Sequence, residues 1–256
     1  MNVRTIFNLI HTVAPFDTQQ EWDNSGILVG SPAQEVSSIL FALDVTQPVI
    51  DEAVALGAEL IVTHHPLMFS AIHALTDETY EGRLILRLAR ENISLISAHT
   101  NLDQASGGIN DTLAALSGLV EVSGEGFFRS GFLPEPMTVR AFADLLEENL
   151  ETTVRIMAPD NRMIRRIGLC SGGGSDEWMQ AVEAGCDAFV SGEIKHHHAL
   201  AMADAGIAAL ECGHFATEEP GLAALAEALQ NSLNHVECNV RVFVSAVSAY
   251  SFPQQS

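Results

Sequence analysis

Two adjacent histidines, His64 and His65, are the residues of this chain whose types and spacing point most directly to chemistry. They follow the apolar run Leu60-Ile61-Val62, which predicts a buried strand, and they precede Pro66, which ends it. Where a strand ends, the chain can twist and direct both imidazoles into one crevice. Imidazole is the commonest side-chain ligand for transition metals. The pair indicates either a metal site or two solvated, hydrogen-bonded histidines.

Further candidate ligands come directly after other predicted strands. They are His99 with Asp103, then Glu193, then His214 with Glu218. In open α/β sheets, ligands bind at the carboxyl ends of the strands. Histidines scattered through a core would have no reason to share this position, so the pattern favours a metal site.

Two shorter segments carry polar residues near these candidates. Asp23 and Asn24 lie in a turn, where they either face a site or cap the turn itself. Thr217 is a good N-cap residue, and Pro220 would then fall in the first turn of a helix. Glu218 would lie at the N-terminus of that helix, where the macrodipole favours its ionised form.

Strands that alternate with helices predict an α/β fold of two lobes with similar topology and mostly parallel sheets. The predicted strands cover residues 27–29, 38–45, 60–62, 93–99, 153–157, 164–170, 187–191, 207–212 and 237–244. We expect residues 1–120 with about 235–256 to form the first lobe and 121–234 the second. The segment 121–138, with several Gly and Pro, is expected to cross between them, and the metal site to lie in the cleft.

Composition narrows the class of protein. The chain has 256 residues, of which 47% are hydrophobic and 18% charged, which is typical of a globular protein. Its net charge of −21 argues against binding nucleic acid or an anionic membrane. No apolar run has the length of a transmembrane helix, and the first 16 residues predict a helix and not a signal peptide.

The cysteines fit neither a zinc ribbon nor a disulfide framework, because they lie far apart without a C-x-x-C pair. They are Cys170, Cys186, Cys212 and Cys238. A reducing cytoplasm is the expected location. Cys212 lies two residues before His214 and either shares its face or is a small buried residue, and burial is the favoured interpretation.

Six motifs, in order along the chain, resemble the NGG-interacting-factor-like family, whose members are often labelled type 2 GTP cyclohydrolase I homologues. They are Trp22-Asp23-Asn24-Ser25-Gly26, Thr63-His64-His65-Pro66, Ser97-Ala98-His99-Thr100-Asn101-Leu102-Asp103, Gly107-Gly108-Ile109-Asn110, Ser191-Gly192-Glu193 and Gly213-His214-Phe215-Ala216-Thr217-Glu218. The resemblance runs from about residue 4 to 246 and therefore covers nearly the whole chain.

The resemblance implies a dinuclear metal centre inside a ring-shaped homohexamer. His64 and His65 would each bind a metal, Asp103 and His214 would bind one each, and Glu218 would bridge both. Two further residues, His99 and Glu193, would line the cavity around the metals and orient ligands or transfer protons. His196 and His197 either join this region or are solvated helix residues.

The implied ligands contain no thiolate, which suits two divalent cations of Zn, Fe, Mn, Co or Ni without choosing among them. Five ligands for two metals leave open positions, as in a reactive site. We expect a metal-dependent hydrolase that uses a metal-bridging water, with GTP ring opening as the chemistry that the resemblance implies. Arg129, Lys195 and the turn at Gly172–Gly174 are candidate binders for the phosphates of a nucleotide-like molecule. The alternative is a non-enzymatic metal-handling or adaptor ring.

Overall fold

The computed structural model describes residues 1–235 and 239–247, which form two compact α/β units. Unit 1 consists of Met1–Ala105 and Leu222–Ser256, and unit 2 of Ser106–Gly221. In the described residues each unit contains one sheet with helices packed against it, so the predicted α/β class is confirmed. The lobe boundaries at residue 120 and about residue 235 stay a prediction.

Strands and helices alternate along much of the chain. In sequence order they are α1 (Val3–Val13), β1 (Gly26–Val29), β2 (Ser38–Ala42), α2 (Gln47–Leu56), β3 (Leu60–Thr63), α3 (Tyr80–Arg90), β4 (Ser94–Ser97), α4 (Thr100–Gln104), α5 (Ile109–Leu116), β5 (Val120–Ser123), β6 (Arg129–Thr138), α6 (Val139–Asn149), β7 (Arg155–Met157), β8 (Met163–Cys170), α7 (Trp178–Glu183), β9 (Ala188–Ser191), α8 (His196–Asp204), β10 (Ala208–Glu211), α9 (His214–His235) and β11 (Arg241–Val244).

The sheet of unit 1 has the strand order β1-β4-β3-β2-β11. β11, β2, β3 and β4 run parallel, and β1 is antiparallel to β4. Thr63 at the end of β3 is in register with Ser97 at the end of β4, and their hydroxyl oxygens lie 2.8 Å apart. The residues that follow these two strands, His64-His65 and Ala98-His99, therefore leave the sheet at the same level of one edge.

The helix before β3 shows why the chain turns where it does. α2 begins after Thr46, whose hydroxyl accepts a hydrogen bond from the amide of Val49, and it ends at Gly57. Gly57 adopts φ +63°, a left-handed conformation that glycine reaches without the steric cost of a Cβ. All four residues of β3 are buried, so its apolar side chains fix the strand before the histidines.

The sheet of unit 2 has the order β5-β6-β8-β9-β10-β7. Its centre, β8, β9 and β10, is parallel as predicted, whereas β5, β6 and β7 pair antiparallel. The carboxyl ends of the parallel strands bring the turn after Cys170, the Gly192-Glu193 pair and the Gly213-His214 pair to one edge. In this unit α6 contributes to a buried hydrophobic cluster. The cluster includes Phe142, whose side chain is fully buried.

The segment 121–138, expected to cross between the lobes, contains most of β5 and all of β6, which the sequence pattern did not predict. Pro134 and Pro136 lie in β6 where its pairing with β8 shifts register, between Phe132 and Met137. Because proline cannot donate to a ladder, it is tolerated at such irregularities, and its presence hides the strand in the sequence pattern.

The end of the chain is described in part. The predicted strand at 237–244 is observed as β11, while residues 237 and 238, and with them Cys238, lie outside the described residues. Across residues 1–235 and 239–247, every helix is too short or too polar to cross a lipid bilayer.

Candidate metal centre

Three imidazoles gather at the sheet edge of unit 1. The ring centroids of His64 and His65 lie 5.0 Å apart, those of His64 and His99 5.0 Å, and those of His65 and His99 5.7 Å. One ring nitrogen from each lies within 4.8 Å of the others, so this group could hold a metal ion. His99, expected to line the cavity around the metals, lies close to both of these candidate ligands.

The orientation of His64 and His65 suits metal ligands. Nδ1 of His64 lies 2.9 Å from the carbonyl oxygen of Ala98, and Nδ1 of His65 lies 2.8 Å from Oδ1 of Asp44. A carbonyl and a carboxylate only accept hydrogen bonds, so Nδ1 carries a proton in both rings, and in the neutral imidazole Nε2 carries the lone pair. Metal-binding histidines usually have this arrangement.

Asp103 contributes a carboxylate to the same group. It lies in the short helix α4, is buried, and places Oδ1 at 3.5 Å from Nε2 of His64. Ligands that make bonds of about 2.0–2.1 Å to one cation stand roughly 3–3.5 Å apart. The spacing of these two atoms is compatible with a shared cation.

Asp23 both stabilises its own turn and contacts His99. It therefore has both of the roles considered for it, which were capping the turn and facing the candidate site. Its carboxylate accepts hydrogen bonds from the Asn24 amide at 2.7 Å, the Ser25 hydroxyl at 3.0 Å, the Thr100 amide at 3.1 Å and Nδ1 of His99 at 2.9 Å. Burial alone would raise the pKa of Asp23, but the hydrogen bonds from His99 and Thr100 outweigh it and hold the pKa well below its usual value. The carboxylate stays ionised at neutral pH.

Unit 2 brings its own predicted residues together. His214 is the first residue of α9, and its Nε2 lies 3.1 Å from Oε2 of Glu218, one turn further along the helix. Its Nδ1 lies 3.1 Å from Oε1 of Glu193, which follows β9. The Glu218 side chain is 6% exposed and that of Glu193 is 67% exposed. A buried carboxylate and an imidazole on one helix face are a candidate ligand pair.

The predicted start of α9 was wrong. The helix begins at His214, so Thr217 is not its N-cap and Pro220 lies inside the helix. The Thr217 hydroxyl lies 2.8 Å from the carbonyl oxygen of His214, and it accepts a hydrogen bond of 3.0 Å from the amide of Gly172. Gly172, whose amide donates to Thr217, lies 45 residues away in the sequence. Local capping rules do not consider contacts over this distance.

Gly172 packs directly against the carboxylate of Glu218. It adopts φ +53°, and a Cβ added to it would overlap Oε1 of Glu218. Its amide donates to Thr217, and its carbonyl accepts a hydrogen bond of 2.8 Å from the amide of Glu193. The glycine-rich turn therefore permits close packing around Glu218. The Gly172 amide, a candidate phosphate binder, already donates a hydrogen bond to Thr217 inside unit 2.

The other candidate residues are placed differently. Arg129 is buried, pairs with Asp111, and donates to two backbone carbonyls, while exposed Lys195 pairs with Asp176 at 2.6 Å. Both cations are thus engaged within unit 2. His196 and His197 are exposed at the start of α8, as expected of solvated helix residues.

Cys212 is fully enclosed in the core of unit 2, and burial raises the pKa of its thiol to about 12. At pH 8 roughly one thiol in ten thousand would be ionised, so we expect negligible labelling by iodoacetamide in the native protein. Peptide mapping by mass spectrometry checks this, with urea-denatured protein as the control. Native labelling at the denatured rate would contradict the burial of Cys212.

Asp44 is the site residue that sequence reasoning missed. It holds the ring of His65 and follows β2 at the same sheet edge. A signal was present, because an acidic residue at the end of a predicted parallel strand next to β3 meets the criterion that selected the histidines.

Comparison with known proteins identifies the family of this chain. The profile of the family described as Duf34/NIF3 (NGG1p interacting factor 3) matches residues 1–250. A Clostridium perfringens protein named GTP cyclohydrolase 1 type 2 homolog is 35% identical over 244 residues, which are 91% of this chain and 93% of that protein. Protein NIF3 homolog from Schizosaccharomyces pombe is 32% identical over 253 residues, 89% of each chain.

Solved structures extend the similarity to the fold. A Staphylococcus aureus protein superposes with a TM-score of 0.93 at 29% identity, over 100% of this chain and 99% of that one. The fold and the ordered motifs define an α/β protein with clustered metal-ligand candidates at its sheet edges. The chain belongs to the DUF34/NIF3 family, as the sequence motifs predicted.

Proposed function

We propose that this protein is a dinuclear metal-dependent hydrolase. His64, His65, Asp103 and His214 would each bind a metal, and Glu218 would bridge both. The observation that carries the proposal is the orientation of His64 and His65, because engagement of both Nδ1 atoms places the ring lone pair on Nε2, the form that binds metal. Glu218, buried beside His214, adds the anionic charge that a pair of cations requires.

When bound, a pair of divalent cations supplies Lewis acidity and lowers the pKa of a water that bridges them. The residues of the chain would hold the centre in place. Asp44 fixes the ring of His65, and Gly172 leaves room for the Glu218 carboxylate. Glu193, largely exposed and in contact with His214, would exchange protons with solvent during turnover.

The substrate class that we propose is a nucleotide of the GTP type, by analogy with relatives named GTP cyclohydrolase 1 type 2 homolog. Two exposed aromatic residues support a ring-bearing substrate. Trp22 is 61% exposed and Phe69 52%, and their rings lie edge-on to His99 with centroid distances of 6.0 and 5.4 Å. They offer apolar surface beside the candidate ligands of unit 1, where a planar heterocycle could stack.

Trp22→Ala and Phe69→Ala are each expected to raise KM about 2- to 12-fold, because one aromatic contact contributes about 0.5–1.5 kcal/mol. Steady-state kinetics on the substrate that the metal-loaded protein turns over would check this, with kcat close to the parent value. Leu75→Ala, an exposed apolar residue in the same connection between β3 and α3, is the matched control. Unchanged KM in both aromatic variants would refute this stacking role.

The direct test of the function compares metal-loaded parent protein with Glu218→Ala. Incubation with GTP should change the absorbance spectrum of the guanine ring in the parent only, and a panel of phosphoester and amide substrates should run beside it. No turnover of any substrate above the Glu218→Ala background would overturn the hydrolase proposal.

We also propose a homohexamer, as the family resemblance implies, in the cytoplasm, as the spacing of the cysteines indicates. Light scattering with and without a chelator separates an enzyme from a metal-handling or adaptor ring. Activity that disappears on chelation while the assembly persists would support the enzyme. An assembly that dissociates on chelation, with no hydrolysis, would favour the ring protein.

A further inference from the structure

His99 makes the same kind of hydrogen bond through Nδ1 as its two neighbours, His64 and His65. In all three rings Nδ1 faces an acceptor that cannot donate, namely the Ala98 carbonyl for His64, the Asp44 carboxylate for His65 and the Asp23 carboxylate for His99. In the neutral form, each ring therefore carries its lone pair on Nε2. A solvated histidine would have no reason to repeat the arrangement of its neighbours.

We propose that His99 is a third imidazole ligand that unit 1 supplies to the metal centre, beside His64 and His65, and that Asp23 is the residue that positions it. This inference rests on the proposed metal centre and changes the role expected for His99, from a group beside the ligands to a ligand. Unit 1 would then supply three nitrogens, from His64, His65 and His99, and one carboxylate, from Asp103.

The turn that contains Asp23 holds His99 at two points. The Asp23 carboxylate accepts from the ring, and the Ser25 hydroxyl accepts a hydrogen bond of 3.0 Å from the His99 amide. The Asp23 side chain is fully buried, and four further groups donate to it, the amides of Asn24 and Thr100 and the hydroxyls of Ser25 and Thr100. A carboxylate fixed in this way orients the ring, which is the arrangement that raises the basicity of a histidine ligand.

The ring nitrogens are grouped closely enough to be candidate ligands of a cation. Ligand nitrogens with bonds of about 2.0–2.1 Å stand roughly 3–3.5 Å apart around one metal. The ring nitrogens of His64, His65 and His99 lie within 4.8 Å of one another. The His99 side chain is only 13% exposed, so its ring is largely shielded from solvent within this group.

Cobalt(II) is a suitable probe, because its visible absorption reports the number and type of its ligands independently of turnover. The parent, His99→Gln and Asp23→Asn would be titrated with cobalt(II), with His65→Ala as the positive comparator. His73→Gln, which replaces an exposed histidine in the connection between β3 and α3, is the matched control. Circular dichroism of the metal-free proteins verifies folding, and if Asp23→Asn does not fold, His99→Gln carries the test.

We expect His99→Gln to shift the cobalt(II) spectrum and to weaken binding more than about 10-fold, and Asp23→Asn to weaken it about 10- to 100-fold, as loss of a ligand-orienting partner does. His73→Gln should match the parent. If His65→Ala changes the spectrum while His99→Gln keeps both spectrum and affinity, the ligand role of His99 is overturned and the metal centre stands. If the parent itself binds no cobalt(II), the proposed function falls with it.

Discussion

Glu218→Gln is expected to lower the metal content of the protein and to abolish hydrolysis. The substitution keeps the size of the side chain but removes the negative charge that the proposed bridging ligand brings to two cations. Because loss of a partner that merely orients a ligand costs about 10- to 100-fold in metal affinity, loss of this ligand should exceed that range. Metal competition with a chromogenic chelator would measure the affinity, and the substrate panel the activity.

The neighbouring carboxylate provides the control for Glu218. Glu219→Gln makes the same chemical change one residue later in α9, at a half-buried position where burial raises the pKa of the carboxyl. This variant should bind metal as the parent does. Parent-like affinity and full metal content in Glu218→Gln would show that Glu218 is not a ligand.

Gly172→Ala is expected to have an effect nearly as large, although Gly172 carries no chemistry itself. A Cβ at this position would overlap Oε1 of Glu218, so the carboxylate must shift from its present position beside Nε2 of His214. The left-handed φ of +53° adds a cost of about 1–2 kcal/mol for a residue with a Cβ. We expect metal affinity to fall towards that of Glu218→Gln, together with a lower free energy of unfolding.

Two other glycines separate these causes. Gly185 has φ +68° with open space around an added Cβ, so Gly185→Ala should reduce stability without affecting metal. Gly173 has φ −78° and also has open space, so Gly173→Ala should affect neither property. Metal titration and chemical denaturation of all three variants would test this. Normal metal binding by folded Gly172→Ala would contradict the packing of Glu218 against the turn.

The parts of the candidate site that follow from local pattern could be predicted from sequence. The apolar run of β3 and the Gly57 cap define a strand with His64 and His65 at its end, and parallel strands bring their carboxyl ends to one edge. This reasoning also applies to His214, which comes shortly after β10.

The groups that orient the histidines depend on contacts between distant parts of the chain. Asp44 lies 21 residues from His65, and Asp23 lies 76 residues from His99. No periodicity or capping rule connects such positions, and only the pairing of the strands brings them together. Strand β6 was missed for a different reason. Its prolines disfavour a strand in the sequence pattern, but long-range pairing with β8 nevertheless forms one.

Elemental analysis of metal per subunit would decide whether the proposed dinuclear centre exists. The protein would be purified without added metal and without a histidine tag, with His65→Ala and Glu218→Ala beside it. We expect about two divalent cations per subunit in the parent and clearly fewer in both variants. Little metal in the parent, even after reconstitution, would contradict the metal centre and leave the histidines with a structural role.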